Sequence, residues 1–237
     1  DAAGNTNAAA DQFNWTYDGS APTASITYDS TGPYKNGETV VITATFNEDI
    51  SDNPVMQIAI AGSGIANVNA TNMTKTSSTV YTYSYSVPTG DGTGTITLST
   101  GTDLAGNVIT APPTNNTFEV DNTAPTGAIT YSPAPPYKQF ASVTITATFT
   151  ETLTTTPKIA ISGVSTIGAT NMTGSGTTWT YGYTAPAGDG TGTITLSTGT
   201  DAAGNEVTAT PTSGGTFEVD NTAPTGAITY SPAPPYK

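Results

Sequence analysis

Residues 117–138 read TFEVDNTAPTGAITYSPAPPYK, and residues 216–237 repeat the same 22 letters 99 positions later. A third, degraded copy, NWTYDGSAPTASITYDSTGPYK, occupies 14–35. A chain that copies itself at a fixed interval folds as copies of one unit. An interval of about 100 residues matches one small domain per copy and is too long for a solenoid repeat. Two complete domains are expected, at 21–123 and 124–222. Residues 1–20 read as the C-terminal strand of a preceding repeat, since DAAGN opens both residue 1 and residue 201, and 223–237 as the first strand of a following one. On this reading the sequence is a window onto a longer array.

Within each copy the dominant pattern is alternation, the signature of half-buried strands. Val40, Ile42, Ala44 and Phe46 share one face of a run, and Val143, Ile145, Ala147 and Phe149 share the equivalent face in the second copy. The opposite positions are mostly Thr and Ser, which favour strands and tolerate water. Turn residues punctuate the runs every 8–12 residues or so, and no helix of ordinary length is predicted. Seven strands are expected: A (24–30), B (39–46), C (54–61), D (65–73), E (79–87), F (93–99) and G (107–120). That number in about 100 residues predicts an all-β chain of tandem immunoglobulin-like β-sandwich domains, arranged as a linear rod. The stripe Tyr81, Tyr83 and Tyr85, and its counterpart Trp179, Tyr181 and Tyr183, reads as core packing. A carbohydrate-binding module would instead need those rings exposed together on a flat face.

Composition removes several functions. Five lysines, no arginine and 18 acids leave a net charge of −13, so nucleic acid is excluded as a partner, because phosphate backbones require basic patches. No apolar run approaches the roughly 18 residues of a membrane span. With no Cys and no His, thiolate and imidazole metal sites and histidine catalysis are excluded within this span. The GDGTGT loops have no following Lys and open no helix, unlike a phosphate-cradling loop.

The acids are placed by topology. In a seven-strand sandwich the B–C and F–G loops lie at the pole where the chain enters, and the E–F loop at the exit pole. Asp121 in the linker, Glu151 at the end of strand B and Asp201 at the start of the F–G loop therefore gather at the entry pole of the second domain. Asp18, Glu48 and Asp103 do the same in the first. Asp91 in the first E–F loop is expected to approach Asp121, Glu151 and Asp201, while Asp189 lies beside Asp220 of the next linker. Gathered carboxylates repel one another unless a cation neutralises them. Calcium takes about six to eight oxygen ligands, and without His or Cys it suits the donor set better than zinc or copper. The competing reading is that the acids simply form turns and solvated loops; their recurrence in both copies favours the cation. Asp49 and Asp52 accompany Glu48 only in the first copy; surface charge is the default reading, and added ligands at the first junction the alternative.

The motifs DLAGN (103–107) and DAAGN (201–205), each followed by VDNTAP (120–125 and 219–224), together with ATF-x-E at 44–48 and 147–151, resemble bacterial immunoglobulin-like repeats of the BIg type. Such repeats build the extender regions of giant surface adhesins, ice-binding and biofilm types included, and occur in other surface filaments and surface layers. The resemblance covers essentially the whole chain, although the first linker departs from it with YDGSAP. It implies calcium between successive domains, held by Asp121, Glu151 and Asp201 and by Asp18, Glu48 and Asp103. It also implies an extracellular, cell-surface stalk whose partners are neighbouring repeats. Near-identical copies with acids at a junction rather than in a cleft predict a scaffold, not an enzyme. Two other roles follow from the residues: a filament subunit assembling by strand addition in trans, and the carbohydrate-binding module. Asn-x-Thr sequons at Asn14, Asn69, Asn72, Asn115 and Asn171 mark glycosylation acceptors or chance matches in a Thr-rich chain.

Overall fold

The alternating runs become the strands of two compact units, Asp1–Val120 and Asp121–Lys237. The computed structural model describes residues 2–3, 16–229 and 231. The first unit contains β1 (Ala24–Tyr28), β2 (Thr39–Phe46), β3 (Ile50–Ser51), β4 (Gln57–Ala61), β5 (Val68–Asn72), β6 (Thr74–Lys75), β7 (Val80–Ser86), β8 (Gly92–Ser99), β9 (Thr102–Asp103) and β10 (Thr117–Val120). The second contains β11 (Gly127–Ser132), β12 (Ser142–Leu153), β13 (Lys158–Gly163), β14 (Ile167–Asn171), β15 (Thr173–Thr184), β16 (Gly190–Ser197) and β17 (Thr216–Val219).

In the first unit one sheet has the order β1-β2-β7-β6 and the other β10-β8-β4-β5; in the second the orders are β11-β12-β15 and β14-β13-β16-β17. The ladders are antiparallel, and isolated parallel bridges, Tyr34 to Val120 and Tyr137 to Val219, join the continuation of the first strand to the last. This order defines an immunoglobulin-like sandwich. Residues from both sheets of each unit form one core, led by Ile26, Ile42, Ile58, Ile60 and Ile96 in the first and by Ile145, Ile159, Ile161 and Ile194 in the second.

The Tyr stripe belongs to that core. Tyr81 and Tyr85 are buried and Tyr83 packs against them, so no exposed aromatic platform forms there. Trp179 and Tyr183 are buried likewise, with Tyr181 beside them. At one end of each core four rings cluster: Tyr85 meets Phe118 at 5.3 Å between centroids, and Tyr183 meets Phe217 at 5.1 Å, with Tyr28/Tyr34 and Tyr131/Tyr137 completing the groups. The Gly-Thr-Gly runs have their reason here. Phe118 lies opposite Gly94, and Phe217 opposite Gly192, and a Cβ on either glycine would stand 2.5 and 2.3 Å from the ring tip.

The strands differ from expectation in three places. Strand G, expected over 107–120, joins the ladder only at Thr117–Val120. Pro112 and Pro113 supply no N–H to a ladder, and the preceding stretch contributes only bridges such as Ser25 to Thr114. Strand D, expected over 65–73, shortens to β5, which pairs with β4, and an unexpected strand β6 follows it and pairs with β7. No strand forms over 221–229. The rest of the strand expected at 223–237, residue 231 apart, lies outside the described residues, as does most of that expected at 1–20.

Candidate metal centre

Each acid group is assembled from three separated stretches by the ladders around it. Strand β2 delivers Glu48 two residues past its end, β8 leads through β9 to Asp103, and the segment before β1 brings in Asp18. One carboxylate oxygen from each of Asp18, Glu48 and Asp103 lies within 4.8 Å of the others. Asp121, Glu151 and Asp201 form the same triangle in the second unit, also within 4.8 Å. Asp103 and Asp201 are buried, at 3% and 2% exposure. The other four are exposed or half-buried.

The Asp-x-Ala-Gly-Asn loop explains how a carboxylate is tolerated there. In the first unit, Asp103 Oδ1 accepts hydrogen bonds from the N–H groups of Ala105 and Asn107, both at 2.8 Å, and Oδ2 accepts from Asn107 Nδ2 at 2.7 Å. The chain turns through Gly106, whose φ of 94° suits a residue without Cβ. Burial raises the Asp103 pKa, but the bonds from the Asn107 side chain and from the Asn107, Ala105 and Gly106 N–H groups outweigh it and hold the group below its ordinary value. The Asp201 carboxylate accepts the equivalent hydrogen bonds from Asn205 N and Nδ2, at 2.9 and 3.0 Å.

Asn107 and Asn205 have a role that the sequence reading quoted but did not assign. The second amide hydrogen of each reaches the linker: Asn107 Nδ2 donates to Asp18 O, and Asn205 Nδ2 to Asp121 O, both at 3.0 Å. Each linker Asp then uses Oδ1 to accept from the N–H two residues on, Ser20 or Thr123, at 3.0 Å. The buried acid, its asparagine and the linker acid form one hydrogen-bonded frame in each unit. Their common spacing in both DxAGN copies was the available signal.

The remaining acids lie elsewhere. Asp91 sits in the loop between β7 and β8, at the opposite pole of the first unit from Asp18, Glu48 and Asp103. Asp189 occupies the equivalent loop of the second unit, where it accepts from Asn221 N and from Thr222 Oγ1 (2.6 Å). The Thr222 and Asn221 bonds hold its pKa below the ordinary carboxylate value. Asp220 accepts from Thr222 N at 2.9 Å. Among the described residues, Asp91, Asp189 and Asp220 belong to neither three-acid group. Asp49 lines the open cleft beside Asp18 and Glu48, whereas Asp52 pairs with Lys75 at 3.3 Å.

No known protein family matches the sequence, and no curated protein matches it. Among solved structures, the human OSCAR ligand-binding domain is similar over 84% of this chain and 97% of its own length, at 10% identity and a TM-score of 0.35. The sandwich assignment rests on the strand order itself. No described helix is long and apolar enough to cross a membrane.

Proposed function

We propose that each unit is a calcium-stiffened immunoglobulin-like spacer module of an extracellular surface protein, like the extender repeats of bacterial adhesins. The observation that carries this reading is the recurrence of one arrangement: in both units a linker acid, an acid near the end of the second strand and a buried loop acid converge within 4.8 Å. The donors are hard oxygens alone, the ligand type calcium prefers. Asp103 and Asp201 are fixed in advance by their loops, so binding orders little that is not already ordered. Asp18, Asp121, Glu48 and Glu151 provide the outward-facing oxygens. A bound cation would tie the linker to the sandwich; without it, like charges push the linker away.

Thermal unfolding of the chain with calcium and with chelator tests the reading. Saturation at 100 times the dissociation constant stabilises by about 2.7 kcal/mol. The expected result is a calcium-dependent rise in Tm for both units, with Asp121→Asn abolishing the rise in the second. Identical melts in calcium and chelator would leave a plain spacer.

A further inference from the structure

The two units hold their buried acid by different devices. In the first, the stretch NEDISDN forms β3, which pairs with β9 through Ile50 to Asp103 and Ser51 to Thr102. Asp103 therefore sits in a two-residue ladder belonging to neither main sheet. That ladder is tethered from the other side. Tyr81 of β7, fully buried, donates its hydroxyl to Asp52 Oδ1 at 3.1 Å. Lys75 of β6 pairs with Asp52 Oδ2 at 3.3 Å and stands 5.8 Å from the centre of the Tyr81 ring. Ile50 N completes the tether by donating to Ser78 O at 2.9 Å.

Among the described residues the second unit has no counterpart of this Tyr–Asp–Lys group. Trp179 pairs with Ala147 as Tyr81 pairs with Ala44, and its Nε1 donates to Gly176 O. The loop is held by hydroxyls instead: Thr154 Oγ1 donates to Asp201 O at 2.8 Å, Thr154 N to Thr200 O at 2.7 Å, and Thr200 N to Thr155 Oγ1 at 2.8 Å.

We propose that Tyr81, Asp52 and Lys75 are positioning residues for Asp103, so that the first acid group holds its cation through a charged clip while the second relies on Thr154. The inference rests on the calcium reading above. Loosening the clip frees β3, and with it the strand that fixes Asp103, while leaving the second group untouched.

Calorimetric calcium titration of the whole chain tests this, with Asp121→Asn isolating the first group and Asp18→Asn the second. Residues standing behind metal ligands typically change affinity by about 10- to 100-fold. Tyr81→Phe, which alters neither shape nor charge, should weaken the first group roughly tenfold, the low end of that range, and leave the second unchanged. Thr154→Val should do the reverse. Lys75→Met separates the clip from simple electrostatics: removing a positive charge would tighten calcium binding, whereas opening the clip weakens it. Melting in chelator checks that each variant is folded, and Lys75→Met stands in should Tyr81→Phe not fold. An unchanged first-group affinity in Tyr81→Phe, equal weakening of both groups, or tighter binding in Lys75→Met overturns the clip. Wild-type chain that takes up no calcium overturns the underlying reading before any variant is made, and the clip with it.

Discussion

The side-chain amide of Asn205 donates to the main-chain carbonyl of Asp121 at 3.0 Å, across 84 residues of sequence, while also donating to Asp201 Oδ2. One neutral side chain thus satisfies a buried carboxylate and pins the incoming linker. Asn205→Ala strands both acceptors, at a cost of about 1–3 kcal/mol for unsatisfied buried groups. The second unit should melt at a lower temperature by calorimetry in chelator, with Asn107→Ala doing the same to the first. Unchanged melts would mean that water replaces the amide at no cost.

Gly192 is expected to tolerate no side chain. Its Cβ would stand 2.3 Å from the Phe217 ring tip, inside a cluster with Tyr131, Tyr137 and Tyr183. Gly192→Ala should destabilise by about 1–3 kcal/mol, the usual cost of overpacking. Gly182 is the control, since a Cβ there meets nothing within 4 Å. Gly182→Ala should be neutral or stabilise by up to about 1 kcal/mol through the unfolded chain. Chemical denaturation of the two variants compares them directly.

Tyr28 and Tyr131 report on alkaline stability. Burial, assisted by the adjacent Tyr34 and Tyr137 respectively, pushes each to about 12. Their unfolded value is near 10, so the unfolded chain loses these protons first. The associated stability is intact below about pH 10 and is lost as pH rises towards 12. Absorbance at the tyrosinate band should show ordinary tyrosines titrating first, and these two only with loss of structure.

Asp103 has the opposite sign. Its folded pKa lies below the ordinary carboxylate value, so its contribution is present above the unfolded value, near 3.9, and disappears as pH falls through the folded one. Acid unfolding followed by circular dichroism in chelator should show the first unit weakening below about pH 4. Asp103→Asn should flatten that dependence.

Much of this was legible in the letters. The run from Val40 to Phe46 and its copy from Val143 to Phe149 announced buried strands through period two alone, and strand B falls where the alternation puts it. The convergence of Asp121, Glu151 and Asp201 followed from topology, because strand ends and loops of a sandwich collect at fixed poles. What stayed hidden depended on contacts between distant residues. Nothing local distinguishes Asn107 from a turn asparagine until its amide is seen to reach Asp18. Asp52 looked like surface charge because Tyr81, its donor, lies 29 positions away. The shortening of strand G reflects the prolines at 112 and 113, whose missing N–H groups leave the ladder to begin only at Thr117.

The partners Thr123, Glu151, Asp201 and Asn205 lie in one direction along the chain from Asp121. Asp121 is engaged through its carbonyl with Asn205 and through Oδ1 with Thr123, and it shares its acid group with Glu151 and Asp201. All of these partners lie downstream. A segment excised between Val120 and Asp121 therefore carries its connector and every acid of its group, whereas a cut made after Pro125 would leave one acid behind. Gene duplication, or an engineer lengthening the protein, that copies from that point carries the three acids of the group together in one piece.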